Sequence, residues 1–205
     1  MSFKRLMKVQ KEGQGKLFNQ GWLELLTKTN PFIHTVTYGS VVVFSLIKNN
    51  QPIPETLVFA ISGIIIWTLV EYLIHRFLFH IKASKFQYLI HGVHHEFPRD
   101  RERLMMPPLP GLMLVLFFFG LWYLLFQQNV YAFMSGFVSC YVVYTFIHYA
   151  LHAWKPVKGF KFLWTHHHKH HNPAFEHTSY GVSTPLWDYV FGTMPKDTKD
   201  IKGES

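Results

Sequence analysis

The stretch TLVFAISGIIIWTLVEYLIHRFLFH (Thr56–His80) decides the fold, because a long apolar run passes directly into two histidines. Spanning the hydrocarbon core of a bilayer, roughly 30 Å thick, takes about 17 to 25 helical residues, and the apolar part of this stretch has that length. The arrangement recurs where Val130–Ile147 is followed by His148 and His152. The sequence therefore predicts membrane-spanning helices that carry histidines at one end.

Two further apolar runs, Phe32–Ile47 and Leu109–Phe126, bring the number of predicted spans to four. Of the 20 Lys and Arg residues, all but Lys48 lie in three segments, namely 1–30, 76–108 and 153–205. The positive-inside rule then places both termini and the segment 76–108 in the cytoplasm, an alternation that only an even number of spans satisfies.

We predict an all-α integral membrane protein that forms a single domain of 205 residues. Its expected parts are a cytosolic or interfacial segment (1–30), two transmembrane hairpins (31–152) with a cytosolic segment between them (75–108), and a cytosolic helical cap (153–205). Within the first part, Phe18, Trp22, Leu25 and Leu26 recur at helical spacing. This spacing predicts a short amphipathic helix on the inner membrane surface.

Composition argues against several other classes of protein. The net charge of +8 lies beside apolar runs, which favours membrane orientation over nucleic-acid binding. The single Cys140 excludes an internal disulfide bond. Because residues 1–16 have no apolar core followed by a small-residue cleavage site, we do not expect a secretory signal.

Ten of the 14 histidines fall into four clusters with the spacing of metal ligands: His75 and His80; His91, His94 and His95; His148 and His152; His167, His170 and His171. Histidines separated by three or four residues share a helix face. His75 and His80 are five residues apart, so they can meet one metal only where the helix ends or distorts. Adjacent histidines within HxxHH point in different directions, which favours a centre with two metal ions.

Ligation by imidazole alone argues against Mg²⁺ and Ca²⁺ and suits Fe, Zn, Cu or Ni. A structural zinc site takes four ligands and commonly uses Cys with His, so ten histidines exceed its requirement. Two redox metals beside a bilayer suggest oxygen chemistry on a lipid. We interpret the remaining histidines as non-ligands, with His177 as a reserve ligand or substrate contact: His34, His166, His168 and His177.

Several polar residues are predicted to support the centre. Glu71 lies one turn before His75 inside an apolar run, and we expect it to accept the distal N–H of a ligand imidazole. Asp188 is a similar candidate. Tyr144 is predicted to be an aromatic residue of the helix bundle. For Arg99, Arg101 and Arg103 we favour ordinary membrane flanking over docking of an acidic electron donor or a lipid phosphate.

From about Ile66 to Thr193 the chain resembles the membrane fatty acid hydroxylase superfamily, and within it the fatty acid 2-hydroxylases. The similar blocks are EYLIHRFLFH (Glu71–His80), HGVHHEFPRDRERLMMPPLPG (His91–Gly111), HYALH (His148–His152), and HHHKHH followed by YGVSTPLWDYVFGT (Tyr180–Thr193). Histidine spacing alone also allows sterol desaturases and carotenoid hydroxylases. The flanking residues favour the 2-hydroxylase branch.

The resemblance implies that the ten clustered histidines bind two iron ions, which zinc can replace in purified protein. It implies hydroxylation by O₂ at C2 of a long acyl chain, free or within ceramide. It also implies that Tyr149 lies near the substrate path. Related proteins often begin with a cytochrome b5-like domain, and residues 1–30 contain no His-Pro-Gly-Gly. We therefore expect electrons from a separate reductase, through a cytochrome b5-like or ferredoxin-like donor.

The sequence differs from the family pattern at Thr145, where an acidic residue is common three residues before the third cluster. Support for the ligands at that point is therefore not predicted.

Two alternative functions fit the sequence: a sterol or carotenoid hydroxylase or desaturase, and a non-catalytic membrane metal-binding protein. A transporter would carry polar ligands near the bilayer midplane, whereas these histidines lie at one end of the spans.

Overall fold

A computed structural model describes residues 9–10, 13–80, 85–156, 158–175 and 177–195, and within these ranges the regular structure is helical throughout. In chain order the α-helices are α1 (Gly21–Leu25), α2 (Pro31–Lys48), α3 (Ile53–Leu73), α4 (Lys85–Gln87), α5 (Val93–Glu96), α6 (Pro108–Phe126), α7 (Val130–Ala153), α8 (Lys161–His170) and α9 (Leu186–Val190). Two π-helical segments, Ile74–Phe79 and Tyr88–Gly92, interrupt this series. The predicted all-α class is confirmed.

Helices α3 and α7 pack side by side in the same direction. A Cβ atom on Gly63 would lie 2.2 Å from the Phe133 carbonyl oxygen, and one on Gly136 would lie 1.9 Å from the Ala60 carbonyl oxygen. Glycines let helix backbones approach this closely in a membrane. Phe59 contacts Phe126 just before α7, whereas Trp67 contacts Tyr141, so the contacts advance in the same direction along both helices. The histidines that follow α3 and those that end α7 therefore reach the same end of the bundle.

Helices α2 and α6 run antiparallel to α7. His34 of α2 contacts Thr145, and Tyr38, one turn later in α2, contacts Tyr141, one turn earlier in α7. The two helices therefore run in opposite directions. A tight 3₁₀ turn at Gln127–Asn129 connects α6 to α7. The antiparallel α6–α7 hairpin is closed by aromatic pairs that include Trp122–Phe133 and Phe118–Phe137.

Three helical stretches are long and apolar enough to cross a membrane, and the third contains both α6 and α7: Pro31–Lys48, Ile53–Phe79 and Arg101–Ala153. Each of the four predicted apolar runs therefore falls within one of these stretches. Crossing of the membrane four times and the cytosolic side of the cap stay predictions. The chain ends 1–8 and 196–205 of the predicted cytosolic segments, and 81–84 of the middle one, lie outside the described residues.

Candidate metal centre

The structure brings all ten clustered histidines together in two groups of five. Within each group, one nitrogen from every imidazole lies within 4.8 Å of all the others. Group one contains His75, His80, His91, His95 and His170. Group two contains His94, His148, His152, His167 and His171. Each group thus has the number and type of ligands that a transition-metal ion accepts.

A π-helical segment brings His75 and His80 together although they are five residues apart. The segment Ile74–Phe79 is π-helical, so its hydrogen bonds connect residues five apart rather than four. The two imidazole centroids then lie 5.3 Å apart, within one group. The distortion that the sequence required between these histidines is confirmed, and π-helical turns of this kind occur frequently at functional sites.

Each HxxHH sequence is shared between the groups. His91 and His95 belong to group one, whereas His94 projects into group two. In the last cluster the split is reversed, because His167 and His171 belong to group two and His170 to group one. The expectation that adjacent histidines serve different groups is confirmed. The two groups are in direct contact, with the rings of His95 and His171 stacked at 4.2 Å.

The orientation of several imidazoles is fixed by main-chain carbonyls. If Nδ1–H donates to the carbonyl oxygen of Tyr180 for His75, of Leu104 for His148 and of Thr178 for His170, as the distances indicate, Nε2 is left with a lone pair in each ring. Backbone carbonyls commonly hold metal-ligating histidines in this way. These three carbonyls are functional groups that the sequence did not reveal, since a carbonyl has no side-chain signature.

The converging nitrogens fit a bound cation. Nε2 of His91 lies 3.1 Å from Nε2 of His75 and 2.9 Å from Nε2 of His95, so one N–H cannot satisfy all three atoms. In group two, Nε2 of His148 lies 3.1 Å from Nε2 of His94. Two nitrogens at right angles around a metal, with bonds of about 2.1 Å, would be about 3.0 Å apart. The donor set therefore fits one metal ion in each group.

Burial keeps these histidines neutral, which is the form that binds metals. It lowers the pKa of His80 to about 3, and the nearby His170 adds to the decrease. Burial also lowers the pKa of His170 to about 4, although the Thr178 carbonyl opposes that shift. The pKa of His91 and that of His167 fall well below 6.5 for the same main reason, with further contributions from neighbouring imidazoles.

Asp188 organises the loop that supplies two of the carbonyls. Its Oδ1 accepts hydrogen bonds from the Tyr180 amide at 2.9 Å and the Thr193 hydroxyl at 2.7 Å, and its Oδ2 accepts from the Gly181 amide at 2.8 Å. Oδ2 also lies 3.0 Å from Nε2 of His166. Burial by itself would raise the pKa of Asp188, but these hydrogen bonds outweigh it and lower the pKa. Asp188 therefore acts on the ligands through the loop and not by direct contact.

The expectation that Glu71 accepts a hydrogen bond from a ligand imidazole is wrong. Glu71 is buried, and its Oε1 accepts from the amides of Val182 at 2.8 Å and Ser183 at 3.0 Å, while Oε2 accepts from the Ser183 hydroxyl. A buried carboxylate needs such donors, and here the loop after Tyr180 supplies them. Glu71 thus fastens the C-terminal loop to α3.

Three other predicted residues have clear positions. Tyr149 lies against Trp154, with ring centroids 6.0 Å apart, and its place beside a substrate path stays a prediction. Tyr144 packs with Trp67 among the bundle aromatics, as expected. Arg103 is buried and forms an ion pair with Glu24, so it is not a free flanking charge. Arg99 and Arg101 are exposed.

The four histidines interpreted as non-ligands lie outside both groups. His34 is fully buried in α2, and its Nε2 lies 2.8 Å from the Thr145 hydroxyl, so Thr145 forms a hydrogen bond with this histidine. His166 faces Asp188, and His168 stacks on Trp164 at 3.8 Å. His177 is exposed.

An apolar cavity of about 340 Å³ extends from the histidines into the helix bundle. At one end its wall contains His91 of group one together with His94 and His148 of group two. At the other end it is lined by Phe118 and Phe137 from the middle of α6 and α7. Sites for small apolar ligands have this size and character.

Comparison with known proteins gives a consistent result. The family model described as fatty acid hydroxylase matches residues 60–193. A fatty acid 2-hydroxylase from Rattus norvegicus is 38% identical over 186 residues, which cover 83% of this chain and 50% of the rat protein. A dihydroceramide fatty acyl 2-hydroxylase from Arabidopsis thaliana is 33% identical over 194 residues, covering 90% of this chain and 81% of the plant protein.

A solved structure is also similar. The structure of full-length Scs7p, in which only the hydroxylase domain is visible, aligns with a TM-score of 0.83 and 33% sequence identity. The alignment covers 95% of this chain and 78% of that one. The chain thus spans about half the length of the rat relative and most of the visible hydroxylase domain.

Proposed function

Because this chain belongs to the fatty acid hydroxylase family, we propose that it is an O₂-dependent hydroxylase that acts at C2 of a long acyl chain. The substrate is a free fatty acid or the acyl chain of a ceramide, in keeping with the names of the rat and plant relatives. Two iron ions are the proposed native metals, and zinc is an alternative occupant because its intrinsic affinity for nitrogen ligands is higher.

The cavity is the main support for this proposal, because its wall includes histidines from both groups at one end and aromatic side chains such as Phe118 and Phe137 deep in the bundle. An acyl chain that fills the apolar end leaves its carboxyl end beside the histidines. Fixed positioning of this kind contributes much of the rate enhancement of an enzyme. The apolar wall also keeps water away from the reacting carbon.

Two metal ions held by neutral imidazoles would supply activation of O₂ with two electrons from a donor. The protein's own residues do the rest. The carbonyls of Leu104, Thr178 and Tyr180 orient the imidazoles, and Asp188 and Glu71 fix the loop that carries the last two of these carbonyls. We propose a separate electron-transfer protein as the donor, of the cytochrome b5 or ferredoxin type.

We also propose four membrane spans, with both termini and the histidines on the cytoplasmic side. The antiparallel α6–α7 hairpin supports two spans within the stretch Arg101–Ala153. The parallel arrangement of α3 and α7 is what an even number of crossings requires. In this proposal the segment 153–205 is a cytosolic cap over the metal centre.

Hydroxylation at C2 is tested by expression in a host that lacks this activity, together with a reductase and a cytochrome b5-like donor, under ¹⁸O₂. We expect 2-hydroxy acyl lipids that carry the label when lipid extracts are measured by mass spectrometry. Unlabelled product would identify water as the oxygen source and contradict the proposal. Hydroxylation on a ring or a mid-chain carbon would instead assign the protein to another reaction of the superfamily.

Topology is tested separately by cysteine accessibility on a Cys140→Ser background. We expect Asn50→Cys and Gln128→Cys to react with an impermeant reagent applied from outside. Arg101→Cys is expected to react only after the membrane is permeabilised. External labelling of Arg101→Cys would contradict the four-span arrangement.

A further inference from the structure

Part of the cavity wall comes from the N-terminal segment, defined here as Gly13–Thr29. Phe18, Leu23 and Leu26 from this segment line the cavity. The family model begins at residue 60, so this part of the wall lies outside the matched region. The family match by itself therefore says nothing about what this wall does.

An ion pair holds the N-terminal segment in place. The buried Arg103 donates from Nε to the Gly15 carbonyl oxygen at 2.9 Å and from Nη2 to Oε1 of Glu24. The other carboxylate oxygen of Glu24 accepts the amides of Leu17 at 3.0 Å and Phe18 at 2.9 Å. Since both partners are largely buried, the pair fixes the position of Phe18 on the wall.

The N-terminal segment lies at the metal end of the cavity. A Cβ atom on Gly15 would be 2.4 Å from Cγ2 of Val93, the residue that precedes His94. Phe118 and Phe137 line the opposite end, in the middle of the bundle. The segment therefore faces the carboxyl end of an acyl chain and whatever is attached there, and it is remote from the tail.

Helix α1 has two distinct faces. Leu23 is partly buried and lines the cavity, whereas Leu25 is 72% exposed and Trp22 is 66% exposed. Leu26 lines the cavity and is still 46% exposed, so it marks the rim. Leu23 therefore lies inside this rim, whereas Leu25 lies outside it.

We propose that the N-terminal segment selects the substrate by the bulk attached to the acyl carboxyl group, with Phe18 and Leu23 in contact with that end of the lipid. A free fatty acid ends at its carboxylate, whereas the acyl chain of a ceramide continues into a sphingoid base that must fit past the wall. This inference rests on the proposed function. Glu24 is a positioning residue, because it acts through Phe18 and Arg103.

The test compares two leucines on the same short helix. Membranes that contain the wild type, Leu23→Trp or Leu25→Trp receive a free fatty acid and a ceramide with the same acyl chain in equal amounts. For Leu23→Trp we expect the ratio of hydroxylated ceramide to hydroxylated free acid to fall roughly tenfold, the size of effect that pocket shape produces. For Leu25→Trp we expect no change in the ratio. An unchanged ratio in Leu23→Trp, or an equal change in both variants, would overturn the proposal.

A second measurement does not depend on turnover. A fatty acid with a diazirine near its carboxyl group is photolysed in the presence of the wild-type protein, and the tryptic peptide 17–28 is sequenced by mass spectrometry. We expect adducts at Phe18 and Leu23 that excess unlabelled fatty acid removes. Adducts only at Trp22 and Leu25, or adducts that resist competition, would contradict the proposed contact of Phe18 and Leu23 with the lipid. If the wild type formed no 2-hydroxy lipid, the proposed function would fail while this labelling still decided whether the wall contacts lipid.

Discussion

Group one and group two each contain five histidines, but the helices position these histidines differently. Group two takes His148 with His152 and His167 with His171, pairs that an ordinary α-helix places on one face. Group one takes His75 with His80, a pair that only the π-helical segment Ile74–Phe79 brings together. The carbonyls of Thr178 and Tyr180 orient two members of group one, and both lie in the loop held by Asp188. The difference suggests that group one depends more on distant residues.

Loss of a ligand should have the largest effect in either group. His95→Ala removes a member of group one and His171→Ala one of group two. Both variants are expected to abolish hydroxylated product and to retain about one metal ion per chain, against about two in the wild type, by elemental analysis. His168→Ala is the control, because His168 lies outside both groups. Equal loss of product in the control would contradict the assignment of His171, and not His168, as a metal ligand.

Asp188→Ala should distinguish the groups, because Asp188 fixes the loop that orients His75 and His170. Loss of such support commonly lowers metal affinity by about 10- to 100-fold. We expect a chelator to remove the metal of group one first, while group two keeps its own.

Combination with the ligand variants shows which group has lost its metal. In a His95→Ala background Asp188→Ala should remove no further metal, and in a His171→Ala background it should remove the remaining ion. A loss that is the same in both backgrounds would contradict the assignment of Asp188 to group one.

The close packing of α3 and α7 fixes the position of one group relative to the other. Gly136→Val should disturb it, since a Cβ atom at this position would lie 1.9 Å from the Ala60 carbonyl oxygen. Overpacking of this kind typically costs about 1–3 kcal/mol. We expect a lower melting temperature in detergent and less bound metal in both groups. Gly120→Val is the matched control in α6, where the space around the glycine is open, and an equal decrease there would contradict the argument.

Acid should release the metals only well below neutral pH. The unfolded chain protonates its histidines near pH 6.5, whereas burial lowers the pKa of His80 to about 3 and that of His170 to about 4. Below about pH 6.5 the unfolded chain binds more protons than the folded one, so stability falls as pH drops towards these lower values. Burial also holds the pKa of His167, in group two, well below its usual value. We therefore expect both metals to be retained after dialysis at pH 5.5. Release with a midpoint near pH 6.5 would indicate exposed ligands.

The sequence alone was sufficient to predict the features that depend on local pattern. The apolar runs gave the helices because their length and composition are local properties, and the three stretches suited to a membrane contain all four of them. The spacing of the ten histidines indicated two groups and a distortion between His75 and His80, and the structure shows both.

Other features were decided only by the tertiary structure. Helical spacing could not assign His94 and His170 to the group opposite to that of their HxxHH neighbours, because this depends on how helices far apart in the chain approach each other. Glu71 looked like a partner of His75 from its spacing of one turn, yet a loop more than a hundred residues away satisfies its carboxylate. The carbonyls that orient the imidazoles and the N-terminal wall of the cavity arise from such distant contacts, for which local sequence has no periodic signal.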